Sequence, residues 1–543
     1  MINVPLPEFN RKKIYTLVII SPYMDNLIKK YEGKEFKNQL FEGSSLNEVV
    51  SDLIEFNLLC FSESLKKYDK TNLFDMTGRM VRGIEEFINL LNEIKIEKFM
   101  ELAQFPLSKP EYVKKLERFL FNNFPDSKLV GRLINIYMQL SAYKDASKML
   151  GIDLEFNNVG EGIAYLQSRR IYLHTLQPMI LKYCEGNEKI SSEDFLLAIF
   201  PLIEIHLFAI GNLTSYLEIN HALEDYQIRV NGTFPDLSLS SNYTHNSLEF
   251  FFLSPTRIPF PGIAKHIPNK LSDLRLQELE KNKILSYKEC LTQIDYLEKL
   301  FDEYDLKDHI AFVLFSKLIK ELSKNVYYDY YIVVSKKELM KKLKKIFGKQ
   351  KANETYAQLI IPKNDFVKII NSSRPFIYFQ KNLYSTIYQL NRFIFYITQD
   401  FLSKNKKFQI NSGFIFEKII KEELTKNSFS IKNITRLKNE HETFSEFDVV
   451  ATKNQIIYNF QCKNNYLDIS HIKEDYEKFG TENRNLVKMY EKAYVKEKKR
   501  ENLLLDKLKL KYIKHYVITK FPVITRKPYI ITYQNFEDRI KSI

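Results

Sequence analysis

Three short stretches near the C-terminus carry side chains that together could hold a divalent metal and attack a phosphodiester. They are Glu417, Asp448 and the run Gln461-Cys462-Lys463. Carboxylate and amide oxygens are hard ligands that suit Mg²⁺, and an ammonium beside them can orient or deprotonate a water. The preceding three quarters of the chain hold no comparable set.

The elements that must position these residues are legible in the pattern. Residues 413–424 predict an amphipathic helix, with Phe416, Ile419, Ile420 and Leu424 on one stripe and Glu417 at its edge. A strand is expected over 429–436. Another, over 444–452, turns at Lys453-Asn454-Gln455 into a third over 456–463. Alternation along the third strand puts Ile456, Tyr458, Phe460 and Cys462 on one face and Asn459, Gln461 and Lys463 on the other. Asp448 can join Gln461 and Lys463 from the neighbouring strand. The plainer reading of the same residues is an ordinary cross-strand ion pair between Asp448 and Lys463 on half-solvated strands.

The runs Gly413-Phe414-Ile415-Phe416-Glu417, Phe447-Asp448-Val449-Val450 and Gln461-Cys462-Lys463 resemble the PD-(D/E)XK nuclease superfamily, the fold of many restriction endonucleases. The likeness is to the branch with Gln in place of the second acid, as in Mrr-like catalytic domains. It covers about 130 C-terminal residues. It implies an element order of helix, three-stranded meander, helix and strand, the last strand falling at 516–520 after helices over 472–510. It also implies roles. Asp448 is a direct Mg²⁺ ligand, with Mn²⁺ able to substitute. Glu417 is a second acidic ligand acting through water, Gln461 offers its amide oxygen, and the backbone carbonyl of Cys462 completes the set. Lys463 serves the attacking water.

Composition bounds the rest. A chain of 543 residues implies roughly two to four domains. An apolar share of 45% excludes a disordered chain. Four dispersed cysteines form no C-x-x-C pair, and nine histidines form no H-x-x-x-H or H-E-x-x-H pair, which argues against zinc chemistry and fits a cytoplasmic protein. There is no P-loop, so DNA translocation would need another subunit. No secretion signal is read at the N-terminus. The apolar segment 195–210 is interrupted by Pro201, Glu204 and His206 and is expected as a buried helix rather than a membrane span, with His206 hydrogen-bonded in the core.

The net charge of +14 is concentrated at the end: residues 405–543 hold 28 Lys and Arg against 18 Asp and Glu. A polyanion, with DNA the expected one, is the natural partner. Within that part, Lys488, Lys492, Lys496, Lys499 and Arg500 form a basic helical stretch suited to a phosphate backbone, and Thr519 and Lys520 are expected beside the site by family likeness alone. Interleaved Glu491, Glu497 and Glu501 allow a merely solvated face instead.

The expected architecture is multidomain. A large, mostly α-helical N-terminal region (1–250) is followed by a mainly helical middle region (251–404) after a proline-rich boundary. Residues 405–543 form an α/β, restriction-endonuclease-like domain with a central mixed β-sheet. Ser45 and Glu48 read as a capping box, Ser191 and Asp194 as an N-cap with an acid, Asn231-Gly232 as the start of a polar stretch lasting to about Ser247, and 327–334 as a strand. Residues 15–20 are ambiguous, and Leu297, Phe301 and Tyr304 read as helical core. The functional expectation is a metal-dependent DNA endonuclease, in restriction or antiphage defence, with the helical region as sensor and a homodimer or partner subunit for double-strand cutting. The alternatives are a nucleic-acid-binding protein with a weak or dead site, and a helical interaction scaffold.

Overall fold

In the computed structural model, the described residues are 22–243 and 331–542, with internal exceptions, plus 314–315, 317–318 and 321–322. The exceptions are 91–95, 108–109, 125–126, 150–155, 192–193, 362–373, 387–388, 391–392, 394–405, 439–443, 466–475 and 521–522. The readings made for 15–20, for the prolines after 250 and for Leu297, Phe301 and Tyr304 fall outside them.

Among the described residues the first half is mostly helical, as its periodicity predicts. Its helices are α1 (Pro22–Lys30), α2 (Gly43–Lys66), α3 (Lys70–Leu90), α4 (Ile96–Ala103), α5 (Pro110–Asn123), α6 (Ser127–Met149), α7 (Val159–Tyr183), α8 (Phe195–Pro201) and α9 (Phe208–Ala222). In α2, Leu46, Val49, Val50 and Leu53 are buried on one face, with Ile54 half-buried beside them. The cap differs. The helix starts at Gly43, so Ser45 is its third residue rather than its N-cap, and Ser45 Oγ accepts from the Glu42 amide at 3.3 Å. Ser191 does cap as expected, its Oγ accepting from the Asp194 amide at 3.1 Å.

Residues Phe195–Ala222 are long and apolar enough to cross a membrane by length and composition, yet 56% of the apolar window is buried inside the protein. Pro201 lacks an amide hydrogen, and directly after it the helix widens to a π turn, Leu202–Leu207, all of it buried. His206 Nδ1 lies 3.2 Å from Asn57 Oδ1, the core partner that a buried imidazole needs.

Three strands interrupt this helical region: β1 (Glu35–Glu42), β2 (Gln227–Thr233) and β3 (Asp236–Ser241), an antiparallel sheet in the order β1-β2-β3. Asn231-Gly232, the start of the polar stretch, therefore lies inside a strand. Gly232 (φ +108) sits opposite Leu237, and a side chain there would meet the Asp236 carbonyl oxygen at 2.6 Å. A second antiparallel sheet comprises β4 (Tyr331–Ser335), β5 (Ile377–Phe379) and β6 (Asn382–Thr386), flanked by α10 (Lys336–Phe347) and α11 (Lys349–Leu359). One buried cluster joins Val49, Phe56 and Ile228 to Ile332, Leu339 and Leu383, so the regions on either side of the expected boundary share a core.

The C-terminal part builds its own core. Its elements are α12 (Lys406–Lys426), β7 (Ser430–Lys432), β8 (Arg436–Lys438), β9 (Phe444–Glu446), β10 (Val449–Lys453), β11 (Ile456–Lys463), α13 (Tyr476–Lys499), α14 (Glu501–Leu508), β12 (Tyr512–Thr519), β13 (Ile530–Thr532) and α15 (Tyr533–Lys541). Five strands form one mixed sheet, β13-β12-β11-β10-β7, antiparallel across β7-β10-β11 and parallel across β11-β12-β13. The expected strand over 429–436 is split into β7 and β8, and that over 444–452 into β9 and β10. The β10–β11 turn has two residues, not three: Lys453 pairs with Ile456, and Asn454 and Gln455 both take positive φ, as a type I′ hairpin requires.

Helices α12 and α15 cover one face through Phe416, Ile420, Leu424, Phe536 and Ile540, against Tyr458, Phe460 and Ile518. Helices α13 and α14 cover the other, Tyr490 against Val517 and Leu504 against Val450 and Ile457. The Asn459-Gln461-Lys463 face is thus roofed by helix rather than half-solvated along its length. The same α13 also docks on the helical region. Gly480 allows that approach, since a side chain there would stand 2.1 Å from the His221 carbonyl oxygen. The Arg484 guanidinium donates to that same oxygen, and Phe479 and Ile524 enter the N-terminal core.

Candidate active site

The four expected residues converge at one end of the five-stranded sheet. Asp448 occupies the break between β9 and β10. The break arises because the Phe447 amide turns away to donate to the Thr435 carbonyl at 2.9 Å while its ring is buried. Asp448 Oδ2 then accepts from the Cys462 amide at 2.8 Å and from the Gln461 side-chain amide. Strand geometry turns a residue's N–H and C=O to the same side. The Cys462 carbonyl therefore faces the Asp448 side as well, beyond the first β10 pair, Val449–Phe460.

Glu417 comes from α12, whose start lies over the end of β11: a side chain at Gly413 would be 3.7 Å from the Asn464 amide nitrogen. Glu417 is half-buried and accepts no hydrogen bond among the described residues. Burial, and then the Asp448 charge, push its carboxyl up to about 7, against the pull of Lys421 and Lys463. Burial also raises the Asp448 carboxyl, while the Cys462 amide, Lys463 and Gln461 draw it back. Lys463 therefore sits within electrostatic reach of both acids. It forms no ion pair among the described residues, so the cross-strand Asp448–Lys463 pair of the plainer reading is not made.

Two neighbours were not singled out from the sequence. Lys421 stands one turn after Glu417, an i,i+4 relationship that was readable once Glu417 was chosen. Thr532 is brought in only by sheet order. Lys463 pairs in register with Thr519 and Thr519 with Thr532, and both hydroxyls are buried without hydrogen-bond partners among the described residues. Lys520 lies next to Lys463 across the strands: its amide donates to the Lys463 carbonyl at 2.7 Å, and burial lowers its amine to about 8. Cys462 turns its thiol toward the α12 core, where burial holds it protonated.

The basic helix divides. Lys488, Lys492, Lys496 and Lys499 are exposed on α13. Arg500 is not a surface phosphate contact: its side chain is 11% exposed and bound to Glu497, which is 2% exposed. The Arg500 guanidinium also donates to the Glu446 carbonyl and lies over the Phe447 ring. Glu497 Oε2 accepts from Arg500 Nε at 3.1 Å and from Asn459 Nδ2 at 2.7 Å, and His515 links Asn459 to Glu501 with contacts of 3.2 Å on both sides. A buried charge survives only when paired and hydrogen-bonded, and this network meets that condition beneath the Asp448 turn.

No family model, curated protein or solved structure matches the chain.

The donor set fits a hard divalent cation. Two carboxylates, one without hydrogen bonds, stand beside an amide side chain and a backbone carbonyl, all oxygen donors. Half a rotation of the Gln461 amide exchanges its donor and acceptor ends, presenting Oε1 where Nε2 now meets Asp448. No group of three or more His, Cys, Asp or Glu is placed to hold a metal ion among the described residues, so any metal here rests on two acids and neutral oxygens.

Proposed function

We propose that the C-terminal part is a Mg²⁺-dependent nuclease of the PD-(D/E)XK type cleaving DNA, with the helical region as the sensor or recognition module. The observation that carries this reading is Glu417: a half-buried carboxylate without a hydrogen bond, close enough to Asp448 to raise its own pKa. Folding gains nothing from such a placement, whereas a shared cation removes the repulsion. The order of helix, meander, helices and parallel strand supports the same reading.

Asp448, Glu417, Gln461 and the Cys462 carbonyl would hold Mg²⁺, or Mn²⁺ in its place, which supplies Lewis acidity toward the phosphate. Lys463 orients the attacking water and offsets charge that builds on the phosphate oxygens. Lys520, Thr519 and Thr532 line the sheet end next to it. The exposed lysines 488, 492, 496 and 499 give a basic stripe for the duplex backbone. One such site cuts one strand, so a double-strand break needs a homodimer, a partner subunit or sequential nicking. A cytoplasmic restriction or antiphage role is the setting that suits a cutter attached to a large helical sensor.

One observation favours a second reading, a nucleic-acid-binding protein with a weak site: the Gln461 amide occupies the Asp448 oxygen that a metal would take. Plasmid incubated with protein and Mg²⁺ or Mn²⁺, with EDTA and Asp448→Ala controls, separates the two. Cleavage lost in both controls supports the nuclease. Salt-sensitive binding without cleavage supports the second reading. Absence of both leaves the helical scaffold.

A further inference from the structure

Helices α3, α6, α7 and α8 enclose a cavity of about 270 Å³ far from the sheet just described. Its inner wall is hydrocarbon: Met76, Met80 and Ile84 from α3, Leu140 from α6, Leu166 from α7 and Phe195 from α8. Tyr143 also lines it, yet its hydroxyl points outward to Glu204 Oε1 at 2.9 Å. Glu204 is in turn bound to Arg169 at 3.1 Å, with both side chains almost fully buried. That ion pair fixes the ring, so Tyr143 presents only its aromatic part and the inner wall offers no hydrogen bond there. Rigid walls of this kind lower the ordering cost of a ligand.

The other end of the cavity is different. Among the described residues, Arg79 is the one charged side chain lining it and Gln139 the one carboxamide. Both are exposed, and neither has a partner among the described residues. An exposed arginine alone is ordinary; one at the rim of an apolar cavity, beside an unpaired amide, makes a head-group site. Gly83 lets the Gln139 carboxamide lie against α3 at this rim, since a side chain there would stand 2.6 Å from Gln139 Oε1 and displace it.

We propose that this cavity binds a small amphiphilic anion, its compact apolar body between α3 and α6 and its single carboxylate or sulfonate on Arg79 and Gln139. The volume lies just below the roughly 300 Å³ at which small-molecule pockets begin, so the ligand is smaller than a drug-sized molecule. This inference does not rest on the nuclease reading, because binding alone reports it.

The test is a fluorescence titration of the full-length chain with two probes, the anionic anilinonaphthalene sulfonate and the neutral phenylnaphthylamine, with decanoate as competitor. Saturable one-to-one binding of the sulfonate, displaced by decanoate, is expected. Arg79→Gln, a surface change that leaves the core intact, should weaken the sulfonate about tenfold and leave the neutral probe unchanged. Gly83→Leu, which fills the opening from a helical position, should remove both. Circular dichroism and the thermal midpoint verify that each variant is folded. Sulfonate binding unaffected by Arg79→Gln, binding that survives Gly83→Leu in folded protein, or no saturable binding would each overturn the proposal.

Discussion

The guanidinium of Arg500 lies 4.5 Å from the centre of the Phe447 ring, one residue before Asp448. With its bonds to Glu497 and to the Glu446 carbonyl, it braces the turn that carries the candidate metal-binding carboxylate. Removing one partner of a buried pair leaves an uncompensated charge. Arg500→Ala should therefore lower stability by about 3–5 kcal/mol in urea unfolding. Arg500→Lys keeps the charge but not the planar fork, and should fold while losing Mn²⁺ affinity, read by calorimetry.

The Glu417 carboxyl, raised to about 7, would make the proposed metal binding depend on pH. Below that value a proton competes with the cation, so apparent Mn²⁺ affinity should fall as pH drops from 8 to 6, and Glu417→Gln should flatten the profile. Metal-free stability has the opposite sign. A carboxyl raised above its unfolded value favours the fold below about pH 4.5, and that contribution is lost as pH rises to about 7. Glu417→Gln should gain on the wild-type protein between those limits and stay ahead at pH 8 in EDTA.

Gln461→Glu supplies a second full carboxylate beside Asp448. Without metal the two acids repel, so the thermal midpoint should drop; with Mg²⁺ the gain in ligand charge should tighten binding by about tenfold, or about 1.4 kcal/mol. Calorimetry and thermal scans with and without the cation measure both signs. An unchanged midpoint in EDTA would show that residue 461 does not face Asp448.

Docking of the C-terminal part on the helical region depends on Gly480, which meets backbone rather than a movable side chain. Gly480→Ala should force α13 off α9 and cost about 1–3 kcal/mol, an overpacking penalty. Limited proteolysis between the two parts should accelerate while circular dichroism stays constant.

In the helical region, Arg169→Met strands Glu204 in the core. A loss of about 3–5 kcal/mol in urea unfolding is expected, with recovery when Glu204→Gln is added.

Much of the C-terminal site was readable from local pattern. The period-2 alternation of 456–463 placed Gln461 and Lys463 on one face, and the 3.6-residue stripe around Phe416 put Glu417 at the edge of a buried face. Those are near-neighbour properties, and the observed β11 and α12 carry them. Local pattern failed where distant chain decides the environment. Ser45 resembled an N-cap, but a start at Gly43 moved it one turn inward. Asn231-Gly232 opens a polar stretch of residues favoured in turns, yet pairing with β1 and β3 made it strand. The polar face of β11 looked half-solvated until α13 and α14 were folded over it.

The amino-acid order alone determined which residue types were present to bind a hard cation, which short elements carry them, and that positive charge gathers in the last quarter of the chain. Tertiary structure decided which basic groups remain on the surface: Arg484 and Arg500, indistinguishable in sequence from Lys488 and Lys499, are taken up by His221, Glu497 and Glu446. It also decided that Thr532 joins Thr519 beside Lys463, because the partner of a parallel strand is set by how the chain crosses over and not by proximity along it. Charge and periodicity are properties of neighbours in sequence; burial and pairing belong to neighbours in space.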